Sequence, residues 1–161
     1  MAVVTEADLA DPVQAQAVVD LLDDYAQDPA GGGAGLGDRV RHDLIPALQR
    51  RRDALILLAT EDGRAAGVLS AFETFSTFAA APLLNVHDVY VAPAQRGKGI
   101  GRALLEYAEA VASKRGYCQI TLEVPSGNMP ALRLCHAQGF EAFALDERIG
   151  HALFWQKSLW E

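Results

Sequence analysis

The segment Gln95-Arg96-Gly97-Lys98-Gly99-Ile100-Gly101-Arg102 combines glycines and cations at a spacing that suits an anion. It follows an apolar run ending in Val89-Tyr90-Val91 and opens a stretch whose apolar residues recur at helical spacing. A helix start carries unpaired backbone N–H groups and the positive end of the helix dipole. Glycines at alternate positions remove side chains that would keep a phosphate from those groups. Arg96, Lys98 and Arg102 add local positive charge to a chain of net charge -7. The expectation is a phosphate or diphosphate site. The Walker A pattern fails, because Gly99 follows Gly97-Lys98 where Ser or Thr is needed. The dinucleotide fingerprint fails too, because only Ile100 separates Gly99 from Gly101.

The elements that must hold this loop can be read from periodicity and punctuation. Residues 2–5 read as a strand. Asp11 caps a helix that starts at Pro12, with Gln14 at the capping-box position, and ends near Tyr25. Residues 28–37 contain Pro29 and five glycines and are expected to form a loop, either a connector or a flap over a site. A helix over 38–52 is interrupted or kinked near Pro46. Strands are expected over 54–60 and 65–78, joined by a turn at Asp62-Gly63, and over 83–91. Ile100, Ala103, Leu104, Tyr107, Ala108 and Val111 form the face of the clearest helix, which Gly116 closes. A strand over 118–124 follows, then a helix capped by Asn128 and ended by Gly139, and strands over 140–145 and 152–156. This order predicts a mixed sheet with helices on its faces.

A length of 161 residues, half of them apolar, favours one domain spanning 1–161. The acidic balance argues against nucleic acid as a partner. No apolar run is long enough to span a bilayer, and the acidic N-terminus is unlike a signal peptide, so a cytoplasmic protein without membrane partners is expected. Cys118 and Cys135 form no CxxC pair and no His lies near them at ligand spacing, so no metal is expected.

Two motifs in order now carry a family resemblance. Arg96-x-x-Gly99-x-Gly101, after the strand ending in Val91, resembles the coenzyme A diphosphate motif of the GNAT acetyltransferases. Asn128, Ala131, Leu134, Gly139 and Phe140 resemble the next motif of that family. The resemblance is close over residues 83–145 and looser before them. It implies an α/β (α+β) fold with a mixed, mostly antiparallel twisted sheet, a central parallel strand pair and helices on both faces. It implies an acyltransferase that moves acetyl from acetyl-CoA to a primary amine of a small molecule, and a homodimer. The backbone of Val89, Tyr90 and Val91 would bind the pantetheine arm and the acetyl carbonyl, with the Val91 N–H as oxyanion donor. The amides of Arg96, Gly97, Lys98, Gly99, Ile100, Gly101 and Arg102 would hold the diphosphate, and Asn128 the pantetheine arm.

The chemistry needs a proton acceptor, since an alkyl ammonium has a pKa of about 10.4. His87 is the first candidate base, expected on the strand face of Val89 and Val91 unless a bulge intervenes. Asp88 and Glu123 are the others. The family usually places a Tyr acid where this chain has Cys135, which either donates a proton to the leaving thiolate or fills the core. Glu73, Phe75 and Ser76 lie in the segment where the family builds its acceptor pocket, and aromatics there could meet a cation. Tyr25 and Asp28 could close that pocket. Two other readings stay open: acetylation of a protein or peptide amine, and a coenzyme A-binding module with weak catalysis.

Overall fold

Asp62 and Gly63 both take positive φ, 51° and 74°. That pair makes the tight turn whose twist suits a hairpin, and it joins β2 (Ala54–Glu61) to β3 (Arg64–Ser76). The computed structural model describes residues 2–143 and 152–159. β1 (Val3–Glu6), β4 (Ala81–Val91) and β5 (Ile120–Leu122) complete a sheet in the order β1-β2-β3-β4-β5. The first three pairings are antiparallel and β4–β5 is parallel. The parallel pair therefore lies at one end of the described sheet rather than at its centre.

Helices cover both faces. On one, α3 (Ile100–Lys114) buries Leu104, Leu105 and Ala108 among Leu57, Leu69 and Leu84. On the other, α1 (Pro12–Gln27) and α2 (Asp38–Gln49) bury Val18, Leu21 and Leu48 among Ile56, Val68 and Tyr90. Large-to-small changes at such fully buried sites cost about 2–5 kcal/mol, so the two clusters hold the sheet edges that frame the site.

The expected element order holds from β1 to the helix that starts at Met129, with local differences. The Asp11 carboxylate caps α1 by accepting from the Val13 N–H. Gln14 does not reach back to the Asp11 N–H; it accepts from the Asp8 N–H and donates to the Asp11 carboxylate. α1 runs two residues past Tyr25, until Asp28 takes an extended conformation. Pro29–Gly31 form a short 3-10 turn inside the glycine-rich segment. Pro46 is kept within α2. Of the strand expected over 118–124, only Ile120–Leu122 pairs. Residues 140–143 and 152–156 form no strand, and residues 144–145 lie outside the described residues. Strand propensity needs a paired neighbour to be realised, and none of the described strands offers 140–143 or 152–156 a ladder.

Candidate active site

β4 and β5 pair only at Leu84–Ile120, Asn85–Thr121 and Val86–Leu122. β4 then continues to Val91 with no strand on that side among the described residues, so the two strands frame an open slot. A bulge sits where pairing stops. Ala71 opposes Val86 and Ser70 opposes Asp88, which leaves His87 without an opposite residue. One extra residue reverses the alternation of side chains beyond it. Leu84 and Val86 belong to the cluster under α3, and Val89 and Val91 pack on that same cluster, while Tyr90 belongs to the other. His87 does not share the face of Val89 and Val91. Its ring meets Phe72 edge-on, with centroids 5.1 Å apart, and Phe72 packs on the cluster under α1.

The ladder also fixes where the backbone of Val91 points. The Ala92 N–H donates to Ala66 O at 2.9 Å. Hydrogen-bonded and non-hydrogen-bonded pairs alternate along an antiparallel ladder, so the preceding pair, Val91–Gly67, is of the open kind. The Val91 N–H is thereby turned away from β3 and into the slot.

After β4 the chain makes a 3-10 turn at Pro93–Gln95 and reaches α3 through Gly97 and Gly99, at φ 77° and 80°. Both glycines are required by that left-handed backbone; a β-carbon on either would meet nothing within 4 Å. No side chain caps α3. The Ala103 N–H is bonded to Gly99 O, so the amides of Ile100, Gly101 and Arg102 precede the first helical acceptor. Gly101 lines the cleft, and a β-carbon there would lie 3.0 Å from Leu134 Cδ2, on α4 (Met129–Ala137).

The three cations of the loop all have protein partners. Arg96 donates to Val91 O and to the Asp28 carboxylate, each at 3.0 Å. Lys98 donates to Gln95 Oε1 at 2.6 Å, and Arg102 lies 4.0 Å from Glu106.

Slot and loop together open a cleft of about 540 Å³. It is lined by Val89, Tyr90, Val91, Arg96, Gly97, Gly99, Ile100, Gly101, Arg102 and Asn128, and by His87, Glu123, Cys135, Tyr25 and Asp28. Asn128 caps α4, its Oδ1 accepting from the Ala131 N–H at 3.2 Å. Glu123 is exposed at the mouth. Cys135 is buried, and burial pushes its thiol pKa up. The Tyr25 phenol is pushed up by burial and then by the Asp88 and Asp28 carboxylates. The amide of Ala30 and then Arg96 lower the pKa of Asp28.

Other expected site residues are placed elsewhere. Lys98 and Asp88 do not line the cleft. Asp88 accepts from the hydroxyl of Ser70, which is buried, and so faces the Tyr90 side. Glu73 accepts from the Tyr117 hydroxyl, Phe75 is 60% exposed, and Ser76 accepts from the Ala79 N–H. None of those three lines the cleft, because the register puts them along β3 towards its far end, opposite Leu84, Pro82 and Ala81. Two residues that do not line the cleft brace its neighbours, Ser70 through Asp88 and Arg51 through Phe72. The Arg51 guanidinium lies 5.1 Å from the Phe72 ring centroid and is held by Asp53. Ser70 had a signal, as the one polar residue in the run 65–72; Arg51 had none.

A family model described as acetyltransferase (GNAT) family matches residues 16–140, and the chain belongs to that family. Streptothricin acetyltransferase of Streptomyces lavendulae is 39% identical to it over 83 residues, which are 52% of this chain and 44% of that protein. L-methionine sulfoximine/L-methionine sulfone acetyltransferase of Salmonella typhimurium is 33% identical over 95 residues, 59% of this chain and 55% of that protein. The chain thus spans about half the length of these curated relatives. The crystal structure of a transcriptional regulator from Bacillus halodurans C-125 superposes with a TM-score of 0.79 at 20% identity, over 98% of this chain and 100% of that one. At that identity the likeness shows the fold alone. Among the described residues no helix is long and apolar enough to cross a membrane.

Proposed function

We propose that the protein transfers acetyl from acetyl-CoA to a primary amine of a small molecule by direct attack. The observation that carries this reading is the slot between β4 and β5, into which the Val91 N–H is turned and at whose end the α3 amides stand free of helical acceptors. An extended thioester with an anionic end fits such a slot: backbone donors for the arm, a donor for the acyl oxygen, and a helix start for the diphosphate. The thioester supplies the activated acyl group. The Val91 N–H stabilises the charge that develops on the acyl oxygen. The backbone of Val89 to Val91 aligns the arm, as does the Asn128 side chain. The loop and α3 amides hold the diphosphate, beside loop cations whose side chains also have protein partners.

His87 is the base in this reading. His87 lines the cleft, and Phe72 braces its ring edge-on. Glu123 is the second candidate, exposed at the same mouth. Asp88 acts through structure, tied to Ser70. A small amine is favoured because two of the curated relatives bear the names of small-molecule acetyltransferases.

Cys135 supports a second reading. It is buried at the place where the family usually has a Tyr acid, which favours a coenzyme A-binding module with weak catalysis. One experiment separates the two. The protein is incubated with acetyl-CoA and a panel of amines that includes streptothricin, methionine sulfoximine and polyamines, and free thiol is measured. Amine-dependent thiol release is expected. Calorimetric binding of acetyl-CoA with no release on any amine would favour the module, and no binding would overturn both.

A further inference from the structure

We propose that Arg96 is a positioning residue: its guanidinium ties the glycine-rich segment 28–37 to the end of β4, and so sets the acceptor wall of the cleft instead of holding the diphosphate. The proposal rests on the reading of this cleft as an acetyl-CoA and amine site.

Arg96 is oriented by the protein on two sides, with about half of its side chain left exposed to the cleft. Nε donates to Val91 O and Nη2 to Asp28 Oδ2, each at 3.0 Å, and the face of the group lies 5.6 Å from the Tyr90 ring centroid. A planar guanidinium suits this arrangement, with its edge in a fork of hydrogen bonds and its face on a ring. An ammonium would satisfy one partner at a time.

At the other end, Asp28 organises the turn that follows α1. Its N–H bonds back to Asp24 O and Tyr25 O. Its carboxylate accepts from the Ala30 N–H at 2.9 Å, and its carbonyl accepts from Gly31 and Gly33. The segment beyond is rich in glycine, and ordering such a chain costs more backbone entropy than usual. Besides the backbone bonds of Asp28 to the end of α1, the described side-chain bonds that hold the segment include Leu36 N–H to Asp23, at 2.7 Å, and the Arg96–Asp28 pair. Tyr25, one turn before Asp28, packs its ring 5.6 Å from that of Tyr90. Tyr25, Asp28 and Ala30 all line the cleft. Freeing Asp28 from Arg96 therefore loosens one wall of the cleft while the α3 amides stay in place.

The test uses Asp28→Asn, which keeps an acceptor for the Ala30 N–H but loses the charge, together with Arg96→Gln and Arg96→Lys. Elastase cleavage after Ala30 or Ala34 in the ligand-free protein reads the segment directly. Both Asp28→Asn and Arg96→Gln are expected to speed it by about fivefold, with melting curves still cooperative. Calorimetric affinity for acetyl-CoA is expected to change by less than about threefold. With the amine turned over fastest in the acceptor screen, KM for the amine is expected to rise about tenfold and kcat to stay within about threefold. Arg96→Lys, able to serve one partner, should fall between wild type and Arg96→Gln in both cleavage and KM. The proposal is overturned if either Arg96 variant loses about tenfold or more in acetyl-CoA affinity, or if cleavage is unchanged in Asp28→Asn. Failure of wild type to bind acetyl-CoA would sink the functional reading, while the elastase arm would still decide the tether.

Discussion

Leu134 stands directly over Gly101: a β-carbon on the glycine would lie 3.0 Å from Leu134 Cδ2. α3 and α4 thus meet at the cleft through a glycine that serves packing, while Gly97 and Gly99 serve backbone geometry. The alternate spacing of the three hides two different requirements.

The two requirements separate by mutation. Gly99→Ala places a β-carbon at φ 80°, which costs about 1–2 kcal/mol, read as a lower urea midpoint at unchanged slope. Gly101→Ala gains helix propensity and pushes on a flexible leucine end, so its stability should stay within about 1 kcal/mol of wild type. Gly99→Glu should abolish acetyl-CoA binding in calorimetry while the protein still melts cooperatively. Undiminished affinity in Gly99→Glu would remove the α3 amides from the site.

His87→Ala should lower kcat by about 100-fold if the imidazole takes the amine proton. A loss of kcat smaller than about threefold would assign the residue to packing against Phe72.

Cys135→Ala should leave kcat within about threefold, as expected for a residue that fills space on the cleft wall. Its thiol pKa is raised by burial above the ordinary 9.0. A raised folded pKa means that the folded state holds the proton while the unfolded chain loses it, so stability falls as pH rises past about 9. The melting-temperature advantage of wild type over Cys135→Ala should therefore shrink between about pH 8 and 10. A large loss of kcat at neutral pH would make Cys135 the proton donor instead.

Local signals determined much of this protein. Asp11-Pro12, Asp62-Gly63, Gly116, Asn128 and Gly139 each mark an element end where the backbone demanded that residue type, and the stripe from Ile100 to Val111 specified α3 and its buried face. The glycine loop before α3 was legible for the same reason: a left-handed turn and a helix start are properties of neighbouring residues. Tertiary structure decided the rest. The bulge that turns His87 away from the face of Val89 and Val91 depends on how β4 registers against Ser70 and Ala71 of another strand. The guanidinium of Arg96 finds its partners in Val91 O and in a carboxylate 68 positions earlier. Glu73, Phe75 and Ser76 fall outside the cleft because strand pairing carries them along the sheet. Each of these outcomes rests on contacts between residues far apart in the chain, which no spacing rule within a segment encodes.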